Sequence, residues 1–308
     1  MNFGESLVAA LFKTNTDKTH IKLVVMAFIW ASSYPLGRLL GEYEVPSVVV
    51  FVRLVVAFIF LVVFAHFRGE LVWKITLRQA MLFILLGFCG FCVHNYLMFK
   101  ALEHTQAGTG AVINGAIPLL VVILDFLVFK KTIGRLALAG IAIGILGTLI
   151  VVTHGDIRGV WRSGQGVGFG ELLFLIAITG WAIYSIAARP LFEHISPLMI
   201  TALTCLAGAT LMAPAAIYTL PEATALFKHW QLLGAAVLQG VFVVGVGFLW
   251  FYEGVKNIGP TRTSVYINLI PIFAIILAAI TIGEKPDPSL YVGGSIILLG
   301  LFFVNWRS

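Results

Sequence analysis

The chain has 308 residues, of which 60% are hydrophobic and only 11% are charged. An average soluble domain has about 25% charged residues, so this composition excludes an ordinary soluble protein and indicates a chain that crosses a membrane many times. The net charge of +6 does not favour nucleic acid, because the Lys and Arg residues lie singly or in pairs between apolar stretches and form no basic stripe. Nucleic acid is therefore not expected as a partner.

Residues 1–19 precede the first apolar stretch and are predicted to form a cytoplasmic N-terminal segment. Glu5 lies near the start of this segment, and Lys13 and Lys18 lie near its end. This charge order is the reverse of that in a cleavable signal peptide, so the first span is expected to direct insertion. Residues 3–12 would place their apolar side chains on one face of a short helix at the membrane surface.

A helix needs about 20 predominantly apolar residues to cross the hydrocarbon core, and the chain contains ten such stretches. They cover residues 20–40, 46–65, 79–101, 107–129, 135–152, 169–189, 196–219, 231–254, 260–282 and 289–306. With a cytoplasmic N-terminus, thirteen of the 20 Lys and Arg residues fall on the cytoplasmic side, six fall on the other side, and Arg53 lies inside the second span. This bias predicts that both termini are cytoplasmic. The expected location is the plasma membrane, which in a bacterium is the inner membrane.

Two parts of the sequence repeat each other at an offset of about 150 residues. The sequence FKAL at residues 99–102, followed by Pro118, corresponds to YEGV at residues 252–255, followed by Pro271. Each copy would cross the membrane five times, so the second copy would be inserted upside down relative to the first. Inverted repeats of this kind are the usual framework of a secondary transporter.

The predicted fold is an all-α integral membrane protein with ten transmembrane helices, arranged as two inverted five-helix repeats. The first repeat covers residues 20–152 and the second covers residues 169–306. Residues 153–168 form the longest polar connection and are predicted to be a linker, since they contain several charges and glycines.

These repeats resemble the ten-helix transporters of the drug/metabolite transporter superfamily, in the branch called EamA. In that family each half opens with a Trp followed by small residues, as at residues 30–33 (WASS) and 181–182 (WA). The passage from the third to the fourth helix has an aromatic-x-Ala-Leu sequence, then small residues, here 107–111, and then a proline within the helix. The family's Gly-Glu pair is present at residues 283–284, whereas the first copy has two lysines at residues 130–131.

The resemblance implies a secondary transporter that exports small metabolites by alternating access. The aromatic content is similar to that of the YddG-type exporters, which implies amino acids, including aromatic ones, as substrates. The alternatives are a multidrug exporter and an exporter of other metabolites such as sugars or nucleosides. Multidrug export is disfavoured because the small four-helix members of the superfamily rely on an acidic residue in the first helix, and residues 21–40 contain none.

Polar side chains deep in a bilayer usually face the interior of the helix bundle, where they often line a pathway. The candidate substrate-binding residues are Trp30, Ser33, Tyr34, His94, Asn95, Tyr96, Asn114, Trp181, Tyr184, Gln239, Trp250, Tyr266 and Asn268. Flat apolar surfaces with a few hydroxyl groups would suit a zwitterionic or aromatic substrate, although each residue has a packing role as its alternative. Since three consecutive residues span about 200° of a helix, at most two of residues 94–96 can face one cavity.

Pro118 and Pro271 occupy equivalent positions in the two copies. A proline leaves the carbonyl four residues earlier without its helical hydrogen bond, here the carbonyls of Asn114 and Ile267. Because the two breaks recur at the same place, we predict that they are hinges, with static kinks as the alternative.

Arg53 is an intramembrane cation with no acidic residue in its own span. It is expected to find a carboxylate partner or to extend towards the membrane surface, and capture of an anionic group of the substrate is a third possibility. The acidic residues near span ends have simpler expectations: Asp125 pairs with Lys130, Glu253 pairs with Lys256, and Glu171 is solvated.

An enzyme is not expected, because the sequence has no nucleophile with a neighbouring base and no H-E-x-x-H pattern, and only His94 of the seven histidines lies inside a span. Cys89 and Cys92 form a single C-x-x-C, which is more typical of packing than of a metal or redox site. No catalytic residue, metal or cofactor is predicted, and a small molecule and membrane lipid are the expected partners. Glycines at residues 140, 144, 293 and 300 indicate helix packing within a monomer or a dimer face.

Overall fold

The computed structural model describes residues 15–41, 43, 45–72, 74–130, 134–156, 168–224 and 228–305. The predicted surface helix over residues 3–12 and most of the predicted linker lie outside these residues. Within the described ranges, nine helices are long and apolar enough to cross a membrane, and a tenth apolar helix is shorter.

The ten helices follow one another along the chain with short connections. They are α1 (Lys18–Gly41), α2 (Pro46–Arg68), α3 (Leu77–Leu102), α4 (Ala107–Phe129), α5 (Arg135–Val152), α6 (Phe169–Leu191), α7 (Pro197–Thr219), α8 (Trp230–Ile258), α9 (Pro260–Ile282) and α10 (Pro288–Asn305). Five helices belong to each repeat, which confirms the predicted fold class. Because five is an odd number of crossings, the two repeats enter the membrane in opposite directions.

The helices start where the sequence supplies helix-initiating residues. Pro46 and Pro197 begin α2 and α7, and they are equivalent in the two repeats. A proline suits the first position of a helix because its missing N–H would have no helical partner there. At α3 the side chains of Thr76 and Gln79 cap each other's backbone N–H groups.

Both repeats interrupt the same two helices. In α3 residues Phe88–Asn95 form a π-helical stretch, and in α8 residues Gly240–Gly247 do the same. In α4 the helix breaks at residues 115–116, and in α9 it passes through a 3₁₀ turn at Tyr266–Asn268. The breaks in α4 and α9 lie just before Pro118 and Pro271, where the sequence predicted them, whereas the two π-helical stretches were not predicted.

The glycines of α5 and α10 bring these two helices into close backbone contact. A Cβ atom at Gly140 would lie 2.4 Å from the carbonyl oxygen of Gly300, and one at Gly147 would lie 2.7 Å from that of Gly293. Small residues allow such an approach in lipid, where dispersion contacts and weak hydrogen bonds hold helices together. Of the two expectations for these glycines, the structure supports packing within the chain.

The two ends of the bundle are distinct. We call the end where α1 begins and α10 ends the termini end, and the end where α5 ends and α6 begins the linker end. At the termini end Glu253 pairs with Lys22 of α1, with 2.6 Å between Nζ and Oε2. The predicted pair with Lys256 was wrong, because α8 packs against α1 and Lys256 points to the exposed side.

Asp125 also has a different partner from the one predicted. Its Oδ1 lies 2.5 Å from Nη2 of Arg189 at the end of α6, and the guanidinium of Arg189 stacks over the ring of Phe129 at 4.4 Å. The chain leaves the helix at Lys130, which is exposed with a φ of 52°. Since α6 packs beside α4, the nearer cation is on the neighbouring helix and not at the next turn.

Glu171 at the linker end is buried and not solvated, contrary to expectation. The hydroxyl of Thr105 donates to its Oε1, and Nε2 of His154 lies 3.6 Å from the same oxygen. The residue begins α6 against the connection between α3 and α4, which shields the carboxylate from water. These two contacts tie the start of the second repeat to the first repeat and to the linker at this end.

Candidate functional site

A small cavity lies at the centre of the bundle, between the two repeats. Seven of the predicted substrate-binding residues line it, namely Trp30, Ser33, Tyr34, His94, Asn95, Asn114 and Trp181. The remaining lining residues are Arg53, Met98, Val243, Phe248 and Ile270. The cavity has a volume of about 30 Å³, which corresponds to about one water molecule.

Two tryptophans that are equivalent in the repeats meet at this cavity. The rings of Trp30 and Trp181 lie edge to face, with centroids 5.0 Å apart and planes at 85°. Nε1 of Trp30 donates to the carbonyl of Val243 at 3.0 Å, within the π-helical stretch of α8. Nε1 of Trp181 is buried and has no hydrogen-bond partner among the described residues. The N–H group of Trp30 is therefore bonded within the protein, whereas the N–H group of Trp181 is available to a ligand.

Gly247 makes room for the indole of Trp30. A Cβ atom at this position would lie 2.3 Å from Nε1 of Trp30, which is closer than a side chain can approach without displacing the ring. At an offset of 153, Gly247 is the equivalent of His94 in the first repeat. One repeat thus places a polar ring where the other leaves space for a tryptophan.

The π-helical stretch of α3 carries His94 and Asn95 into the cavity. Nδ1 of His94 contacts the carbonyl oxygen of Ala177 at 3.1 Å, so this nitrogen carries the proton, and in the neutral ring Nε2 is an acceptor. The imidazole packs against the indole of Trp181, with 4.7 Å between ring centroids. Nδ2 of Asn95 donates to the carbonyl of Gly90 at 2.8 Å. Tyr96 is outside the lining, in agreement with the limit of two residues from this run.

Arg53 faces the same cavity and is only 1% exposed. Its three guanidinium nitrogens are buried and have no hydrogen-bond partner among the described residues. The group lies over the ring of Phe99, with 4.8 Å between Cζ and the ring centroid. Two of the three expectations for Arg53 were therefore wrong, since it neither pairs with a carboxylate of the described chain nor reaches the membrane surface.

Two further polar atoms at the cavity lack partners. The hydroxyl of Ser33 and Oδ1 of Asn114 are buried and make no hydrogen bond within the described part of the chain. Buried polar groups are normally hydrogen-bonded, so each exception needs an explanation. Together with Arg53 and Trp181, these residues present several unused donors and acceptors at one place.

The two repeats contribute different chemistry to the lining. All the polar groups other than the indoles come from the first repeat, whereas the second repeat contributes Trp181, Val243, Phe248 and Ile270. Asn95 corresponds to Phe248 at the offset of 153. The cavity therefore has a polar wall on one side and an apolar wall on the other, which suits a molecule with the same division.

Six predicted site residues lie elsewhere: Tyr96, Tyr184, Gln239, Trp250, Tyr266 and Asn268. Tyr184 is buried beside the cavity, where its ring stacks on that of Tyr252 at 5.1 Å. The hydroxyl of Tyr266 bonds to His20 at the termini end. Asn268 lines a separate apolar groove of about 360 Å³ between α4, α9 and α10. Substrate contact by these six residues stays a prediction that the cavity geometry does not support.

The Gly-Glu pair has a structural role at the linker end. The carboxylate of Glu284 accepts hydrogen bonds from the backbone N–H groups of Ala107 and Gly108, at 3.0 and 2.9 Å. It thereby caps the start of α4, whose first N–H groups have no helical partner. The equivalent helix of the other repeat, α9, starts with Pro260, which has no N–H to cap. This difference explains why the first repeat can have lysines where the second has Gly-Glu.

Two repeats of five helices each, around a shared cavity, agree with the family found by comparison with known proteins. The sequence pattern of the EamA-like transporter family matches residues 18–153 and, a second time, residues 168–306. The chain belongs to this family. The protein is therefore a multi-pass membrane transporter for a small molecule, within the drug/metabolite transporter superfamily, and it is not an enzyme.

Named relatives of this EamA transporter are also transporters. The uncharacterized transporter YyaM of Bacillus subtilis is 27% identical over 73% of this chain and 72% of its own length. A probable terminal-alkyne amino-acid exporter of Streptantibioticus cattleyicolor is 25% identical over 93% of each chain. An S-adenosylmethionine/S-adenosylhomocysteine transporter of Chlamydia trachomatis is 24% identical over 97% of this chain and 92% of its own.

One solved crystal structure has the same fold. It aligns with a TM-score of 0.66 over 92% of this chain and 95% of its own, at 19% sequence identity. At this identity the similarity concerns the fold alone.

Proposed function

We propose that this EamA transporter exports amino acids, including aromatic ones, from the cytoplasm of a bacterium by alternating access. The observation that carries the proposal is the central cavity, which both repeats build and which has one polar and one apolar wall. A free amino acid with an aromatic side chain has the same division, since its charged groups lie at one end and its ring at the other.

The aromatic part of the substrate would lie against the indoles. Trp30 and Trp181 already make an edge-to-face contact, and offset or edge-on arrangements of aromatic rings are favourable beyond their buried area. The free Nε1–H of Trp181 adds a hydrogen-bond donor at the same place. The names of two relatives, an amino-acid exporter and an S-adenosylmethionine transporter, also support a metabolite of this kind.

Transport would require the cavity to open. A volume of about 30 Å³ is far below the roughly 300 Å³ of small ligand pockets, so the conformation described here is closed around the centre. Inverted repeats commonly open by rocking one repeat against the other. The equivalent breaks in α4 and α9, before Pro118 and Pro271, are the places where the helices can bend.

Counterflow in proteoliposomes tests the substrate class. Proteoliposomes that contain the purified transporter would be preloaded in turn with unlabelled amino acids, sugars and nucleosides, with and without a pH gradient. Uptake of the same compound in labelled form would then be measured. We expect amino acids to support counterflow and aromatic ones to do so best. Counterflow of sugars or nucleosides without any amino acid would contradict the proposal and favour the alternative substrates.

A pair of tryptophan variants locates the site. Trp181→Ala removes an indole that lines the cavity, and Trp250→Ala removes one that does not. We expect the first variant to lose about tenfold or more in transport rate at low substrate concentration, since an aromatic contact and its buried area are both removed. The second variant should retain most of the activity. Equal losses in both variants would place the substrate elsewhere.

A further inference from the structure

Of the buried charged residues in the described part of the chain, Arg53 is the one whose charged group has no hydrogen-bond partner. The buried or half-buried carboxylates at the ends of the spans already have other partners: Asp125 binds Arg189, Glu253 binds Lys22, Glu103 binds Lys100, Glu171 binds Thr105, and Glu284 binds backbone N–H groups. The guanidinium of Arg53 pairs with none of these carboxylates, and it lies over the aromatic ring of Phe99. A buried cation without a hydrogen-bonded counter-charge is costly, so Arg53 destabilises the closed conformation at this point.

We propose that Arg53 binds the carboxylate of the transported molecule, an assignment that rests on passage of a small metabolite through the central cavity. The guanidinium fork matches the two oxygens of a carboxylate and can donate two parallel hydrogen bonds to them. Because all three nitrogens are unused, the group needs no rearrangement of protein hydrogen bonds to bind. The substrates of this transporter then carry a carboxylate, and analogues that lack this group bind more weakly.

The neighbouring groups orient the rest of such a substrate. The hydroxyl of Ser33 and Oδ1 of Asn114 are unused acceptors at the same cavity, so they suit an ammonium group next to the carboxylate. The apolar wall from the second repeat then receives the side chain. The substrate would lie across the cavity, with its charged groups towards the first repeat and its side chain towards the second.

The position of Arg53 over the phenyl ring of Phe99 also keeps its N–H groups available for binding. The contact of Arg53 with Phe99 holds the guanidinium by a cation–π attraction that leaves its N–H groups available. A lysine at this position would keep the positive charge but would lack the planar fork. Substitution by lysine therefore separates the effect of charge from that of geometry.

The test compares ligands that differ only in the carboxylate. Binding of L-phenylalanine and L-phenylalaninol, and of benzoate and benzamide, would be measured on the purified full-length protein by tryptophan fluorescence and by thermal stabilisation, at constant chloride. We expect the wild-type protein to prefer each carboxylate by about 10- to 100-fold, which is the range of a hydrogen-bonded charge. Arg53→Met should abolish the preference, and Arg53→Lys should retain only part of it.

The control is Arg68→Met, which removes an exposed arginine from the same helix. It should keep the full preference for the carboxylates. The thermal midpoint gives a second measurement that does not depend on a ligand. Arg53→Met should melt at or above the wild-type temperature, because it removes an uncompensated buried charge and keeps the apolar volume. A structural role for Arg53 would instead lower the midpoint.

Three results would overturn the assignment. The first is a wild-type protein without preference for either carboxylate, and the second is an Arg53→Met variant that retains the preference. The third is that chloride alone produces the same change in fluorescence and the same thermal stabilisation as the carboxylates. The site would then be one for a small inorganic ion. Failure of the proposed function looks different, because benzoate would still be preferred over benzamide in an Arg53-dependent manner while no amino acid showed counterflow.

Discussion

The two repeats of this transporter have the same framework but line the central cavity differently. The first repeat contributes the serine, arginine, histidine and asparagine side chains, whereas the second contributes only an indole and aliphatic or phenyl groups. The equivalent residues His94 and Gly247 illustrate the difference, since one is a polar ring and the other has no side chain. Duplication has thus preserved the helices, and divergence has given each repeat one part of the binding chemistry.

The features that the repeats share concern shape and movement. Both have a π-helical stretch in their third helix and a break before the proline of their fourth helix. π-Helical stretches are rare and often occur at functional sites. The comparison suggests a rule for this molecule, in which repeated features set the motion and unrepeated side chains set the recognition. Three sets of variants can break or sharpen that rule.

The largest effect is expected from Gly247→Ala. The added Cβ atom would lie 2.3 Å from Nε1 of Trp30, so the indole must move and lose its hydrogen bond to Val243. We expect the transport rate to fall by about tenfold or more and the thermal midpoint to fall as well, since overpacking costs about 1–3 kcal/mol. The measurements are initial counterflow rates and thermal unfolding.

The matched control for this variant is Gly234→Ala, also in α8. A Cβ atom there meets no atom of the described residues within 4 Å. Alanine favours a helix over glycine by about 1 kcal/mol, so this control should be active and at least as stable as the wild type. If Gly247→Ala behaves like the control, the hydrogen-bonded indole of Trp30 is not needed for transport.

An intermediate effect is expected from Pro118→Ala and Pro271→Ala. Each substitution restores a backbone N–H in α4 or α9 and permits a helical hydrogen bond across the break. If the breaks are hinges, each variant should slow the maximal transport rate several-fold, about threefold to tenfold, with little change in apparent substrate affinity. Because the breaks are equivalent, the two variants should be affected to a similar degree.

Kinetics over a range of substrate concentrations would decide between a hinge and a static kink. A change of apparent affinity without a change of maximal rate would favour a kink that only shapes the cavity. A large effect in one repeat alone would break the rule that shared features govern the motion. The double variant should be slower than either single variant.

The smallest effect is expected from Glu284→Ala, which changes one end of the molecule. The variant removes the acceptor for the N–H groups of Ala107 and Gly108 at the start of α4. We expect a loss of about 1 kcal/mol in stability, as for other helix caps, and a lower thermal midpoint. Pro260→Ala in α9 adds an uncapped N–H group to the other repeat. This variant should lose less stability than Glu284→Ala, since the wild-type α9 has no cap to lose there.

Much of the framework could be predicted from the sequence because it depends on local properties. The length of each apolar stretch predicted the spans, and the repeated tryptophans and prolines predicted which positions of the two halves are equivalent. The meeting of Trp30 and Trp181 in one cavity follows from that equivalence, since residues near a pseudo-twofold axis face their own counterparts. The limit of two cavity-facing residues in the run 94–96 was likewise a matter of helical geometry.

The errors concern contacts between helices, which residue spacing does not determine. Residue spacing favours cations about one turn from Asp125 and Glu253 as their partners, but each carboxylate binds a cation on a neighbouring helix. The cavity that Arg53 faces is lined by residues of seven helices, so no sequence pattern could show that Arg53 lacks a carboxylate partner there. A partial signal for the π-helical stretches was present in the glycines at residues 87–90 and 240–247, whose small size permits the wider backbone spiral.

The small volume at the centre has a consequence for the membrane that surrounds the protein. A space of about 30 Å³ accommodates a single water molecule and not a file of them. Protons and small ions cross proteins mainly along continuous water or hydrogen-bonded chains, and such a chain is interrupted here by packed indole and phenyl rings. We therefore expect this conformation not to conduct protons or small ions through its centre, which the proton leak of proteoliposomes containing the protein would test.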